Sequence, residues 1–457
     1  MIIPENIWQA HSFECSCGMI HSQPIKDIAI YKGAMEKLGR VKEDLNSSFD
    51  KGLIIIDSML HELIGDNIKA ALEKGNIDYA LCLFETPQVV PNEAAIVKVM
   101  MDLNETIDFM IAVGSGAIND LARLVGSRCH MPYISIPTAA SMDGYSAEVS
   151  LLVLDGIKKT ITATHPMAIY ADVAILKNAP AKLVAAGFGD LICKKTAAFD
   201  WRISNIINGE SYCQNTVDVV DEIVERTAAN ALKISERDEA AIKTLAEGLM
   251  ISGLAMHWVG KSRPAAGAEH HLAHFIGMKA MINNKHTHLH GIEVAVMTLV
   301  MIEVYKEILT MDFEHLNVET VYEKSLKRDQ YEAKIKGVFQ NSAAQIFKEN
   351  ENKIFDHEEW IAHAGKVKNS MAQIRDELLS KIPDANMIVQ VLKSMGAPSS
   401  PAEMGLSKAE LKEAILYAKE VRNKYTILDA AEYLGCLEEV AERVAEKMET
   451  LDEREDD

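Results

Sequence analysis

Long apolar runs are missing from this chain. The nearest approach, Val294–Ile302, falls well short of the roughly 20 residues that span a bilayer, so no integral membrane segment is expected. Positive charge is also scarce: 47 Lys and Arg stand against 67 Asp and Glu, for a formal net charge of −20. That balance argues against nucleic acid or an anionic membrane as a partner. It leaves a small phosphorylated substrate open, because a local cationic cluster can form inside an acidic protein. Cysteine is sparse at 7 residues. An odd number in a long chain makes no disulfide framework and fits a reducing cytoplasm. The opening Met1-Ile-Ile-Pro-Glu-Asn6 has no basic stretch leading into an apolar core, so no signal peptide is expected. Internal repeats and low-complexity tracts are absent too.

What remains is an ordinary globular composition, 48% hydrophobic and 25% charged, in 457 residues. That length exceeds one compact core, and two domains are expected. Residues 1–178 read as an α/β domain. Short apolar or β-branched runs at Gly52–Asp57, Asp78–Phe84, Ile107–Val113 and Pro132–Pro137 alternate with helical segments such as Asp66–Lys74 and Asn92–Leu103, the pattern of a parallel sheet with covering helices. Leu151–Thr162 reads as a hairpin with Asp155-Gly156 at its turn, and Met167–Leu176 as a last strand. Residues 179–457 read as all-helical. Within them the charged stretch Val321–Ser370 is expected to form a solvent-exposed helical hairpin. The tail from Glu438, ending in Asp-Glu-Arg-Glu-Asp-Asp457, is expected to fray.

The strand Ile107–Val113 runs into Gly114-Ser115-Gly116-Ala117-Ile118-Asn119-Asp120 and then a helix. Such a glycine turn lets backbone N–H groups approach a pyrophosphate, although the spacing is not G-x-G-x-x-G and also suits a tight turn with no ligand. The next strand ends in Pro137-Thr138-Ala139-Ala140-Ser141-Met142-Asp143-Gly144, small and hydroxylated residues where open α/β sheets bind ligands. Asp57, ending an earlier strand, can bond ribose hydroxyls or simply cap the following helix. Together these strand ends favour a nucleotide site.

Six of the 15 histidines fall between His270 and His290: His270, His271, His274, His286, His288 and His290. Neutral imidazole is a good metal ligand, and His270 and His274, four apart, share a helix face. Asp190, after Ala186-Gly-Phe-Gly, either caps a helix or supplies the carboxylate of an Asp-His-His set, which leaves a coordination position open as a catalytic metal requires. Cys15 and Cys17 with His21 look like a fragment of a zinc knuckle whose further ligands are missing nearby, or like an ordered turn.

Val113-Gly-Ser-Gly-Ala-Ile-Asn-Asp120, Thr138-Ala-Ala-Ser-Met-Asp-Gly-Tyr145, Ala186-Gly-Phe-Gly-Asp190, Ser262-Arg-Pro-Ala-Ala-Gly-Ala-Glu-His-His-Leu-Ala-His274 and His290-Gly-Ile-Glu293 occur in an order that resembles the sn-glycerol-1-phosphate dehydrogenases, especially their bacterial branch. That family lies within the superfamily of glycerol dehydrogenases, iron-type alcohol dehydrogenases and dehydroquinate synthases. The similarity extends to Cys15-Ser-Cys-Gly-Met-Ile-His21 and Arg422-Asn-Lys-Tyr-Thr-Ile-Leu-Asp429.

The resemblance implies a Rossmann-like N-terminal domain, a helical C-terminal domain and an active site in the cleft between them. It implies metal-dependent, NAD(P)H-linked and reversible reduction of dihydroxyacetone phosphate to sn-glycerol 1-phosphate, as part of phospholipid biosynthesis. Asp190, His270 and His290 would hold one divalent metal ion, zinc or nickel, with iron also suited. His271 is the alternative to His270. His274 and Asp143, with Asp190, would contact substrate. Asp57, Gly116, Ala117, Ile118, Asn119, Asp120, Thr138, Ala139, Ala140, Ser141 and Ala147 would contact NAD or NADP. A homo-oligomer, dimer or higher, in the cytoplasm is expected. Arg263 and Lys194 are candidates for the substrate phosphate, with helix-end pairing as the plainer alternative. Departures from the family pattern are Cys193 and Lys195, where glycine and tyrosine are common around the lysine, and Ala147, which replaces a common serine. The rival activities are a glycerol dehydrogenase on unphosphorylated glycerol and a dehydroquinate-synthase-like lyase.

Overall fold

The computed structural model describes residues 5–86, 88–154, 157–283, 285, 287–350, 353 and 356–453. Nine strands are assigned among these residues: β1 Gln9–Glu14, β2 Ile20–Tyr31, β3 Lys51–Asp57, β4 Asp78–Phe84, β5 Phe109–Gly114, β6 Tyr133–Pro137, β7 Val149–Leu154, β8 Ile157–Thr162 and β9 Ala168–Asp172. Seven of them form one sheet in the order β1-β2-β9-β6-β5-β3-β4, and β7 pairs with β8 separately. β1 runs antiparallel to β2, and the other pairings in the large sheet are parallel.

The four strands expected from apolar runs form because both faces of this sheet are covered. Alternate residues of β3 and β5 divide between two apolar layers. Ile54, Ile56, Ile111 and Val113 pack with Ile68, Ala71 and Leu72 of the helix Ser58–Lys74. Leu53, Ile55, Met110 and Ala112 pack with Leu121, Ala122 and Val125 of the helix Gly116–Cys129. The chain passes from β3 outward to β4 and then returns to β5 on the other side of β3. Strand order therefore reverses between β3 and β5, the position at which open α/β sheets bind ligands.

Three expectations are corrected. The run Met167–Leu176 is strand only over Ala168–Asp172, because the Asp172 carboxylate accepts a hydrogen bond from Ala174 N–H at 3.0 Å and starts the helical turn Val173–Leu176. The charged stretch 321–370 is not one exposed hairpin. It contributes to four helices, Val318–Lys324, Arg328–Phe339, Ala343–Glu349 and His357–Leu378, which bury Ile335, Phe339, Ile346, Val367 and Ile374. Glu438 lies inside the helix Leu437–Glu453. The Asp155-Gly156 turn, His286 and the last four residues lie outside the described residues.

The sequence reading cuts the chain once, after residue 178. The structure divides into Met1–Leu191 with Cys213–Ser262, and Ile192–Tyr212 with Arg263–Asp457. Residues 213–262 join the first unit because the helix Glu239–Val259 packs on β2 and on the short helix Asp143–Tyr145. In the second unit the helix His290–Thr310 is buried from Gly291 through Tyr305. An apolar surface on all sides marks a central core helix. Among the described residues, no helix is long and apolar enough to cross a membrane.

Candidate active site

In the first unit, β3 and β5 pair through Ile55 and Ala112, and β5 and β6 through Gly114 and Pro137. Asp57, Gly114 and Pro137 consequently end three neighbouring strands in one row. Asp57 is buried and caps the helix Ser58–Lys74, its carboxylate accepting from Leu60 N–H at 2.9 Å. Burial pushes its pKa up, against the pull of the Leu60 and Met59 N–H groups. Gly116 to Asp120 form the first turn of the helix Gly116–Cys129. Asn119 there is buried, and neither its Oδ1 nor its Nδ2 has a hydrogen-bond partner among the described residues. Buried amides are rarely left so, and the arrangement fits a site that a polar ligand completes.

Asp120 points into a structural network instead. Its carboxylate accepts from the fully buried Arg123 at 2.9 Å, and burial raises it to about 7 against that guanidinium. Arg123 also donates to the Val149 carbonyl at 2.7 Å, to Tyr145 O at 3.1 Å, to the Tyr133 hydroxyl at 3.1 Å and to Gly144 O. One side chain thereby fixes the segment that carries Asp143. Arg123→Ala leaves a buried carboxylate and several carbonyls without their donor. It is expected to lower the unfolding free energy by about 3–5 kcal/mol, read by urea denaturation.

The segment 138–147 is held from the other side by close helix contacts. A Cβ on Gly187 would fall 1.8 Å from the Ala140 carbonyl oxygen, and one on Gly253 would fall 2.1 Å from Ser146 Oγ. Only glycine permits these approaches. Thr138, Ala139, Ala140 and Ala147 are buried in this segment, while Ser141 and Asp143 are partly exposed. Asp143 donates its backbone N–H to Asp190 Oδ2 at 2.9 Å and accepts from the Ser252 hydroxyl at 2.9 Å. Asp190 lies near the end of the helix Ala181–Ile192, not at a helix start, so the capping alternative is excluded.

In the second unit, the helix Ala268–Ile282 carries His270 and His274, and His290 begins the helix His290–Thr310. The three rings gather with centroids 5.3 Å apart for His270 and His290, 5.4 Å for His274 and His290, and 6.3 Å for His270 and His274. His270 Nδ1 lies 3.0 Å from Glu269 Oε1. A proton donated there leaves Nε2 with its lone pair for a metal. Glu269 is fully buried, takes Gly267 N–H at 2.6 Å and the Thr196 hydroxyl at 3.0 Å, and has its pKa raised by burial. Burial, then His290 and His270, hold His274 well below the usual imidazole range. His271 is buried, with neither ring nitrogen hydrogen-bonded among the described residues, and it makes no ring contact in this group.

Asp200 sets the start of the helix Ala268–Ile282. Its carboxylate accepts from Ala268 N–H at 2.6 Å, from Ile427 N–H at 2.8 Å and from the Tyr305 hydroxyl at 2.7 Å. Burial and the nearby Glu269 push it up to about 7. The same carboxylate anchors the loop 422–426, and this loop supplies two cations that sequence reasoning missed. Arg422 and Lys424 both act on His274 electrostatically. Lys424 donates to the Ala266 carbonyl at 3.3 Å, and burial, then Arg263, bring it down to about 7. The available signal was the match of Arg422–Asp429 to the family, which carried no role. The earlier phosphate candidates fit less well. Arg263 is buried and bonds Glu210 at 2.6 and 3.1 Å and Tyr425 O at 2.8 Å, while Lys194 is fully buried and donates to Ala265 O at 3.1 Å.

A family model for iron-containing alcohol dehydrogenase matches residues 29–180. The chain is 33% identical to the glycerol-1-phosphate dehydrogenase (NAD(P)+) of Bacillus subtilis (strain 168) over 293 residues, 63% of this chain and 73% of that one. With the glycerol-1-phosphate dehydrogenase (NAD(P)+) of Bacillus licheniformis the identity is 29% over 428 residues, 93% of each chain. A solved structure of a probable glycerol dehydrogenase from Sinorhizobium meliloti 1021 matches with a TM-score of 0.56 and 15% identity, covering 91% of this chain and 97% of that one. At that identity the likeness concerns the fold.

Proposed function

This chain belongs to the glycerol-1-phosphate dehydrogenase family, and from that premise we propose that it reduces dihydroxyacetone phosphate to sn-glycerol 1-phosphate, reversibly, with NADH or NADPH and a divalent metal ion. The observation that carries this reading is the gathering of His270, His274 and His290 with Arg422 and Lys424 acting on His274. Imidazoles suited to a metal and cations suited to a phosphate occur together in one unit.

Asp190, His270 and His290 would hold the metal. The donor set of one carboxylate and two neutral imidazoles suits zinc or nickel, with iron also compatible. When bound, the metal polarises the ketone oxygen and the cofactor supplies the hydride. The chain's own residues do the rest. Glu269 holds the His270 ring in the tautomer that keeps the lone pair on Nε2. His274, neutral at physiological pH, relays a proton from water to the forming alcohol oxygen. Asp143, fixed by Ser252 and by its bond to Asp190, orients a substrate hydroxyl. Arg422 and Lys424 receive the phosphate. Asp57, Gly116 to Asp120, Thr138 to Ser141 and Ala147 line the nicotinamide cofactor's site, where the unpartnered Asn119 amide supports the presence of a polar ligand. Asp120 contributes there through its place in the turn, since its carboxylate is engaged by Arg123. The cytoplasm as compartment is supported by seven cysteines, none of which forms a disulfide. The homo-oligomer, dimer or higher, is carried forward from the family resemblance and is tested by sedimentation.

The test follows NADH and NADPH oxidation with dihydroxyacetone phosphate and with dihydroxyacetone, before and after chelation. Two charge-assisted contacts to phosphate give a preference for the phosphorylated ketone of about 100-fold or more in kcat/KM. Equal use of dihydroxyacetone, or activity that survives complete metal removal, would contradict the proposal.

A further inference from the structure

A second cluster of metal-type ligands lies in the first unit, and it involves none of the residues assigned to catalysis. The turn between β1 and β2 carries Cys15 and Cys17 around Gly18, whose φ of +85° and N–H bond to Cys15 O at 3.0 Å close the turn tightly. His21 follows on β2. Cys213, almost 200 residues later, caps the helix Gln214–Ala229. Cys17 Sγ lies 3.4 Å from His21 Nε2, Cys213 Sγ lies 3.5 Å from the same nitrogen, and Cys15 Sγ lies 3.6 Å from Cys213 Sγ. All four ligand atoms fall within 4.8 Å of one another.

These separations have a simple geometric meaning. Zinc bonds of about 2.3 Å to sulfur and about 2.0–2.1 Å to nitrogen, arranged tetrahedrally, put ligand atoms about 3.8 Å apart for two sulfurs and about 3.5 Å for sulfur and nitrogen. The three edges given above match those figures.

The surroundings are also those of a ligand set. His21 Nδ1 lies 2.8 Å from the Trp258 carbonyl oxygen, so it carries the proton, and Nε2 faces the sulfurs with its lone pair. Asn215 Nδ2 donates to Cys15 Sγ at 3.1 Å, and Thr216 donates to Cys213 Sγ from its N–H at 3.4 Å and its hydroxyl at 3.2 Å. Hydrogen bonds of this kind to sulfur are those that surround and orient metal-ligating cysteines. Three cysteines and one histidine leave no coordination position open, as in structural rather than catalytic zinc sites.

We propose that Cys15, Cys17, His21 and Cys213 form a closed structural zinc site that clasps the β1–β2 hairpin to the helix Gln214–Ala229. Through Trp258, the clasp extends to the helix Glu239–Val259, which carries the Ser252 and Gly253 contacts to the segment 143–147.

The test uses the full chain bearing His270→Ala, which removes a ligand of the proposed catalytic metal and so makes the outcome independent of the function assigned above. After gel filtration in chelator, elemental analysis should find about one zinc per chain. Adding Cys17→Ser and Cys213→Ser should abolish that zinc. Because those variants carry a risk of misfolding, the His270→Ala chain is also exchanged with Co2+, which should give thiolate-to-cobalt charge-transfer absorption and the strong visible bands of a tetrahedral centre. Retained zinc in the cysteine variants, no bound zinc while Cys15 and Cys17 react with Ellman's reagent, or a cobalt spectrum without thiolate bands would each overturn the site.

Discussion

Replacing His270 by alanine is expected to remove the catalytic metal and to lower kcat/KM for dihydroxyacetone phosphate by about 1,000-fold or more, the equivalent of about 4 kcal/mol of transition-state stabilisation from metal polarisation. The substitution also leaves Glu269, fully buried, without its imidazole partner. His271→Ala removes an adjacent histidine of similar burial that stands outside the ring group. It should retain the metal and most of the activity if the chain folds. Activity and metal content of the two variants, measured side by side, decide which neighbouring histidine is the ligand. Loss of metal with His271→Ala alone would reverse the assignment.

Lys424→Gln should raise KM for dihydroxyacetone phosphate by about 10- to 150-fold, from the roughly 1.5–3 kcal/mol of a hydrogen bond to a charged group, while turnover of dihydroxyacetone stays unchanged. The sign of the pH dependence follows from the environment of Lys424. Burial and Arg263 bring its pKa down to about 7. The ammonium is therefore fully charged below neutrality and is lost as pH rises through 7. Phosphate binding should weaken in that direction and take up a proton as it occurs. Calorimetry of inorganic phosphate binding to the metal-free chain, in buffers of different ionisation enthalpy, should detect this proton uptake in the parent and not in Lys424→Gln. An unchanged KM for the phosphorylated ketone would assign the phosphate to other residues.

The parts of the fold visible in the sequence are those whose cause is local. β3, β5 and β6 are covered on both faces, so their apolar runs are uninterrupted and stand out against the helices between them. β1 and β2 escaped notice because β2 alternates buried and exposed residues, contains Pro24, and pairs with β9, which lies over a hundred residues further along the chain. In Arg328–Phe339 the charges announce exposure, while Ile335, Val338 and Phe339 form a buried stripe too narrow to stand out.

The site divides the same way. The histidines were legible because they crowd into two helix starts, and the strand-end glycines because they interrupt apolar runs. Cys213 has no local feature that links it to Cys15 and Cys17, and only the folded chain brings it beside them. Arg422 and Lys424 sit in a loop whose position depends on Asp200, more than 220 residues earlier. Arg263 and Lys194 were candidates for the phosphate only as cations, with helix-end pairing as the alternative. Their bonds to Glu210 and to Ala265 O give them structural work instead.

The central claim is tested most directly by the product formed when the metal-loaded enzyme consumes NADH or NADPH with dihydroxyacetone phosphate. The account predicts one sn-glycerol 1-phosphate for each nicotinamide oxidised. Formation of the opposite enantiomer, sn-glycerol 3-phosphate, or no cofactor oxidation with this substrate, would contradict it.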